Sequence, residues 1–168
     1  MIQAKLLMDY VKNYKSQGFV PIPIHGVRYG VCTCHLGDEC TSAGKHPIPK
    51  RSAAIEAMDD QWENWINKYP DMNLGILTGS ESGLFVLDVD PRHGGNESFD
   101  ALVQSIGPFP ATLVAQTGGG GRHYVFKIPP GEEVRNSAGM LGQGIDIRGE
   151  GGLIVVEPSV TKGEYKWI

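Results

Sequence analysis

Apolar residues recur along the chain at two spacings, one typical of helices and one typical of strands. The helical spacing predicts helices over residues 3–17, 59–68 and 96–106, the last with an asparagine cap. Apolar runs predict strands over residues 19–24, 73–79, 83–90, 144–149 and 152–159, and a strand–glycine loop–strand unit over 112–129. We expect 144–149 and 152–159 to form a strand pair. This order of elements predicts an α+β domain with a largely antiparallel sheet.

The strand predicted over 83–90 ends in two carboxylates, Asp88 and Asp90. Because side chains alternate along a strand, both lie on the same face and repel each other. A strand that ends in a turn is one explanation, because aspartate commonly begins turns. Asp146, between two isoleucines, is a third carboxylate that should face away from the core. Three carboxylates on one sheet face would hold two hard cations such as Mg²⁺ or Mn²⁺.

The composition fits one globular domain, since 40% of the 168 residues are apolar and 20% are charged. No segment approaches the roughly 18 apolar residues of a membrane span, and the first residues have no signal-peptide core. We therefore expect a cytoplasmic protein without a membrane partner. The net charge of −4 argues against a broad basic surface for nucleic acid. Carboxylates that hold metal ions also make nuclease and polymerase domains acidic, so the charge does not decide between these classes.

A polar, Cys- and Pro-rich segment, residues 30–50, lacks the periodicity of a helix or a strand. Four of its side chains form the pattern C-x-C-x5-C-x5-H: Cys32, Cys34, Cys40 and His46. Three thiolates and an imidazole favour a closed, structural zinc site, with His35 as an alternative fourth ligand. Three reduced cysteines in a loop are the other interpretation, although free cysteines prefer burial. Zinc would stabilise a segment that has too few apolar residues to fold alone.

Four consecutive glycines, residues 118–121, directly precede Arg122 and His123. A backbone without side chains indicates that some group approaches it closely, unless the loop is only a flexible hairpin. The N–H groups of the loop, including that of Gly121, would bind a triphosphate together with Arg122 and His123.

Two further cations are candidates for phosphate binding. Arg148 follows Asp146 by two residues and therefore shares its sheet face. Lys45 directly precedes His46, the last of the proposed zinc ligands. Arg148 would be equally unremarkable as an ordinary surface arginine, and Lys45 is only a candidate.

Three of these segments, taken in order, resemble the motifs of the bifunctional primase–polymerase (prim-pol) domain, a branch of the archaeo-eukaryotic primase superfamily. That family has an apolar strand ending in acid-x-acid, a small-x-His element, and an apolar residue followed by an acid. The corresponding residues here are 86–90, 121–123 and 145–146. The resemblance extends over about residues 18–167, and the sequence GKHP after the cysteines also recurs in such domains.

The resemblance implies a primase fold, in which an RRM-like, mostly antiparallel sheet unit packs with a smaller α/β unit, here with a zinc-knuckle insertion. It implies template-directed nucleotidyl transfer by a DNA primase/polymerase, with Asp88, Asp90 and Asp146 holding two divalent ions. His123 would contact the phosphates of the incoming nucleotide. The implied partners are a single-stranded DNA template, a primer and NTP or dNTP.

The resemblance also implies that residues 1–168 form a single catalytic domain of a longer replication protein with helical accessory and helicase domains. Viral and plasmid replication systems are candidate sources. Two other functions stay open at this point. One is a two-metal nuclease, which also gathers carboxylates on a sheet but does not need a triphosphate site. The other is a non-catalytic zinc module that binds single-stranded nucleic acid or a protein partner.

Overall fold

The computed structural model describes residues 2–168, which contain four α-helices, eleven β-strands and two short 3₁₀ helices. The helices are α1 (Ile2–Ser16), α2 (Arg51–Ile55), α3 (Asp59–Lys68) and α4 (Gly95–Ile106). The strands are β1 (Pro21–Ile24), β2 (Val27–Arg28), β3 (Val31–Cys32), β4 (Asn73–Leu77), β5 (Leu84–Val89), β6 (Leu113–Gln116), β7 (Arg122–Lys127), β8 (Ser137–Ala138), β9 (Ile145–Arg148), β10 (Leu153–Val156) and β11 (Lys166–Trp167). Among these residues, no helix has the length and apolar character needed to cross a bilayer.

The strands form two larger sheets and one small hairpin. The six-stranded sheet has the order β11-β6-β7-β5-β9-β8, the three-stranded sheet has the order β1-β4-β10, and β2 pairs with β3. Neighbouring strands are antiparallel in all three. The prediction of an α+β domain with antiparallel sheets is therefore confirmed.

Alternation along β5 directs its side chains into two of the three buried clusters of the described residues and positions the site. Leu84 and Val86 face the main core, which also contains side chains of the three-stranded sheet, α1 and α3. Leu87 and Val89 point the other way and pack in a second core with side chains of α4. Asp88 continues the series of Leu84 and Val86. Asp88 therefore lies at the edge of the main core.

The predicted pairing of residues 144–149 with 152–159 is wrong. β9 pairs with β5 and β8 in the six-stranded sheet, whereas β10 pairs with β4 in the three-stranded sheet. Three of the four β10 residues are buried, but only one β9 residue is. A strand with apolar groups covered on both faces is more stable inside the core than in an exposed hairpin.

The predicted asparagine cap of the third helix is also wrong. α4 begins at Gly95, so Asn96 lies inside its first turn, and the capping residue is Gly94 in the left-handed conformation. The N–H of Gly95 donates to the carbonyl of Asp90, which ties the start of α4 to the end of β5. This contact, rather than an asparagine side chain, determines where the helix begins.

Candidate active site

Three polar side chains lie in a row across the middle of the six-stranded sheet. On β5, Asp88 is directly opposite His123 of β7 on one side and Asp146 of β9 on the other. Residues directly opposite in antiparallel strands share a face, with Cβ atoms about 4.5–5.5 Å apart. The structure therefore brings Asp146 beside Asp88, a contact between residues 58 positions apart that no local pattern specifies.

Arg148 joins the two carboxylates. Its Nη2 atom donates to Oδ2 of Asp146 at 2.9 Å and lies 3.4 Å from Oδ2 of Asp88. On the other side, Nε2 of His123 is 3.5 Å from Oδ1 of Asp88. Burial would raise the pKa of Asp88, but the contacts with His123 and Arg148 outweigh it and hold this pKa below its ordinary value. Asp88 is therefore ionised at neutral pH.

The carboxylate of Asp90 is engaged elsewhere. It accepts hydrogen bonds from Nε and Nη2 of Arg92 at 3.0 and 2.6 Å, and from the Arg92 backbone N–H at 3.0 Å. The Nδ1 atom of His93 lies 3.2 Å away. These bonds, those of Arg92 above all, hold the pKa of Asp90 far below its ordinary value. β5 ends at Val89, so strand alternation no longer determines where Asp90 points, and its carboxylate is occupied by Arg92 and His93.

His123 presents a hydrogen-bond donor to Asp88. Its side chain is buried, and Nδ1 has no hydrogen-bond partner among the described residues. An imidazole proton is more stable on the ring nitrogen that faces an acceptor. The acceptor here is Asp88, opposite Nε2. His123 therefore places an N–H beside the carboxylate, where it can also reach a bound anion.

The glycine loop, residues 118–121, packs tightly against its own chain. A Cβ on Gly118 would lie 2.4 Å from the carbonyl oxygen of Gly163, and one on Gly121 would lie 2.4 Å from that of Val89. The N–H of Gly121 donates to Oγ1 of Thr117, so it is not directed at a ligand. The group that requires a bare backbone at these two positions is therefore the protein itself.

Arg122 does not lie with His123. Adjacent residues of a strand point to opposite faces, and the exposed Arg122 side chain lies on the face of Tyr124, whose hydroxyl is 3.5 Å from its Nη1. The expected pair of phosphate contacts, Arg122 and His123, is thus divided between the two faces of the sheet. Among the arginines, Arg148 and Arg92 take the positions beside the acids.

The four predicted zinc ligands come together in residues 32–46, the Cys₃His segment, which begins at the end of β3 and precedes α2. One ligand atom from each of Cys32, Cys34, Cys40 and His46 lies within 4.8 Å of the others. Nε2 of His46 is 3.5 Å from Sγ of Cys32 and 3.4 Å from Sγ of Cys40. His35 is exposed and lies outside this cluster. The structure thus selects His46 over His35 as the fourth possible ligand of a Cys₃His metal site.

A cavity of about 550 Å³, the acidic cavity, connects the Cys₃His segment to the acidic row, His123–Asp88–Asp146. Its lining includes Asp88, His123 and Arg148 from the six-stranded sheet, Ser42 and Lys45 from the Cys₃His segment, and Tyr165. Asp146 contacts Arg148 but does not itself line the cavity. Lys45, a weak candidate from sequence, is therefore held opposite the catalytic candidates by the folding of the metal-binding segment.

Sequence reasoning missed two residues of this region, Arg92 and Tyr165. Tyr165 is buried, and its ring centre is 6.3 Å from that of His123. Burial raises its pKa, so its hydroxyl stays protonated at neutral pH. No spacing or motif marks Tyr165 in advance. Arg92 had a usable signal, because a cation two residues after Asp90 in a turn is within reach of that carboxylate.

Residues 12–168 match the model of a known family, Prim-Pol, described as the N-terminal domain of bifunctional DNA primase/polymerase. The chain belongs to the Prim-Pol family. The match spans the acidic row and the Cys₃His cluster, and it confirms the resemblance found in the sequence. Prim-Pol membership indicates a DNA primase/polymerase type of nucleotidyltransferase, with DNA and nucleotides as substrates. No curated protein sequence matches this Prim-Pol chain.

Proposed function

We propose that this Prim-Pol domain has a primase-type fold and synthesises or extends primers on a single-stranded DNA template, using NTP or dNTP. The observation that carries the proposal is the row His123–Asp88–Asp146 beside a cavity that Lys45 and Arg148 also line. Carboxylates, an imidazole donor and two cations are groups that bind a nucleotide triphosphate and its metal ions.

The donor set fits a hard divalent cation. Asp88 and Asp146 offer carboxylate oxygens from adjacent strands, and both already contact one positive group, the guanidinium of Arg148. Mg²⁺ or Mn²⁺ held there would help to activate the attacking hydroxyl and to neutralise the leaving pyrophosphate. Asp90, whose carboxylate now accepts hydrogen bonds from Arg92, would be a ligand of a second cation after that carboxylate is released.

The protein's own groups bind and orient the nucleotide. The Nε2 donor of His123 is available to a phosphate oxygen once Asp88 has a stronger partner. Lys45 projects from the Cys₃His segment into the same cavity and compensates phosphate charge from the opposite wall. In the free protein, Arg148 compensates the negative charge of the two carboxylates. A divalent ion bound there would compensate that charge instead and leave Arg148 available to a phosphate.

We expect Arg148→Gln to strengthen Mn²⁺ binding and weaken nucleotide binding. The substitution removes a cation that competes for Asp88 and Asp146. Because this ion pair is partly exposed, the expected gain in Mn²⁺ affinity is about two- to fivefold. Titration with Mn²⁺, with the free ion measured by electron paramagnetic resonance, gives the affinity without any turnover. Arg135→Gln is the matched control, since Arg135 pairs with Glu133 on the surface. An unchanged Mn²⁺ affinity in Arg148→Gln contradicts the proposal that Arg148 competes with a divalent ion for the carboxylates of Asp88 and Asp146.

The Cys₃His cluster is proposed to hold a structural zinc ion. Tetrahedral zinc with bonds of about 2.3 Å to sulfur and 2.0–2.1 Å to nitrogen separates sulfur from nitrogen by about 3.5 Å. The two sulfur–nitrogen separations in the structure, 3.5 and 3.4 Å, agree with that value. Zinc at this position would hold Ser42 and Lys45 against the cavity.

A primer-extension assay tests the proposed function against its two alternatives. The zinc-loaded domain is incubated with a labelled primer, a template strand, nucleotides and Mn²⁺. We expect template-dependent elongation. Shortening of the strands instead indicates the two-metal nuclease. Binding of the strands without any change in their length indicates the non-catalytic module. The expected helicase and accessory domains of a longer protein, and the cytoplasmic location, stay predictions.

A further inference from the structure

A second cavity lies next to the first, on the other side of Ser42 and Lys45. Its volume is about 520 Å³, and Ser42 and Lys45 line both cavities. The remaining lining comes from five places: the β2–β3 hairpin, the Cys₃His segment, the turn after β5, the glycine loop at Gly119, and the loop that carries Thr161 and Lys162. The two cavities are therefore adjacent, and a ligand with repeated charges can extend from one into the other.

The second cavity is basic in a protein whose net charge is −4. Lys45, Arg92 and Lys162 line it, and its lining contains no Asp or Glu among residues 2–168. Lys45 and Lys162 belong to no ion pair formed by the described residues. By contrast, Arg92 pairs with Asp90, and Arg148 pairs with Asp88 and Asp146. Two lysines that are not neutralised by the protein favour an anionic ligand.

Arg92 connects the basic cavity to the acids. Its Nη2 is 2.6 Å from Oδ2 of Asp90, and its guanidinium carbon would be 3.3 Å from a Cβ on Gly119. The side chain thus lies along the glycine loop, between the carboxylate at the end of β5 and the second cavity. The hydroxyls of Thr41 and Ser42 add neutral donors to the same wall.

We propose that the basic cavity binds the phosphodiester backbone of the DNA strand whose bases or 3′ end enter the acidic cavity. This inference rests on the proposed function, which assigns the nucleotide triphosphate to His123, Lys45 and Arg148. The remaining cations of the second cavity are Arg92 and Lys162. Because a DNA strand carries phosphates at regular intervals, successive phosphates can bind these two side chains. Contacts of this type position a strand without reading its sequence.

The Cys₃His segment forms one wall of this cavity, because Cys40 and residues 41–43 line it. The segment therefore has a second role besides holding Lys45 over the acids. It shapes the groove between the metal cluster and the loop that carries Lys162.

The test compares Lys162→Gln with Lys127→Gln in the zinc-loaded domain. Lys127 is an exposed lysine at the end of β7 farthest from His123, and it has no ion pair among the residues described. Affinity for a fluorescent single-stranded oligonucleotide is measured over a range of salt concentrations. We expect Lys162→Gln to bind the oligonucleotide several-fold more weakly. The magnitude of its slope of log K against log [salt] should fall by about 0.7, the value of one phosphate contact on a single strand. Lys127→Gln should retain the wild-type slope.

A second arm distinguishes the strand from the free nucleotide. Binding of a fluorescent NTP with Mn²⁺ should be unchanged in Lys162→Gln. If NTP affinity falls instead, or if the salt slope of Lys162→Gln equals that of wild type, the proposed strand site is wrong. Extension of a preformed primer–template at saturating DNA reports on the proposed function alone. A failure of the strand site is therefore distinguishable from a failure of the enzyme.

Discussion

Asp88→Asn is expected to abolish nucleotide incorporation. The carboxylate is the central member of the row His123–Asp88–Asp146, and its pKa is held low, so it supplies a full negative charge to bound cations. Asparagine keeps the size of the side chain and removes that charge. Metal ions stabilise a phosphoryl-transfer transition state by several kcal/mol, and losing that amount lowers the rate on the order of 10³-fold. Primer extension with Mn²⁺ measures the loss.

The control for this substitution is Asp100→Asn, which makes the same chemical change at an exposed position of α4. It should leave extension at the wild-type rate. Asp88→Asn should also keep its zinc content and its cooperative thermal transition, since Asp88 lies at the edge of the main core. Incorporation by a folded Asp88→Asn at more than a tenth of the wild-type rate is incompatible with the proposed site.

Loss of the zinc site is expected to have the largest effect on stability and to remove activity with it. Zinc contributes on the order of 10 kcal/mol to the folding of small zinc peptides. The main core here contains no residue of the Cys₃His cluster, so we expect only part of that free energy to be lost from the domain. A loss of about 3 kcal/mol lowers the Tm by about 6–12 °C in a domain of this size.

Cys34→Ser tests this expectation, because it removes one thiolate and preserves the shape of the side chain. Metal content by mass spectrometry, the Tm, and primer extension are measured together. His35→Ala is the matched control, since this histidine is adjacent in sequence, exposed, and outside the cluster. We expect one zinc per chain and a normal Tm in His35→Ala, and loss of both in Cys34→Ser. A zinc-loaded Cys34→Ser with the wild-type Tm contradicts the Cys₃His assignment.

Much of the secondary structure was predictable from local patterns. The helix predicted over 59–68 is α3, Asp59–Lys68, because its apolar residues recur every three to four positions and a proline follows it. The acid-ended strand and the C-x-C-x5-C-x5-H pattern were equally visible, since strand alternation and ligand spacing are properties of consecutive residues. The separation of Arg122 from His123 is a consequence of the same alternation, because neighbouring residues of one strand face opposite sides of its sheet.

The pairing of strands was not predictable in this way. Residues 144–149 and 152–159 are adjacent in the chain, but β9 and β10 belong to different sheets, because the free energy of burying both faces of β10 depends on residues far away in sequence. Register is a long-range property for the same reason. The sequence therefore predicted that Asp146 would face away from its core, but only the sheet determined that it lies opposite Asp88.

The amino-acid sequence by itself determined the chemistry available to this protein: the acids, the histidine, the metal ligands and the faces on which most of them lie. The tertiary structure alone decided their partners. It placed Arg148 between two carboxylates, turned Asp90 toward Arg92, and brought Lys45 over the cavity. The physical reason is that hydrogen-bonding periodicity acts over a few residues, whereas side-chain contacts depend on how separate strands and loops pack together.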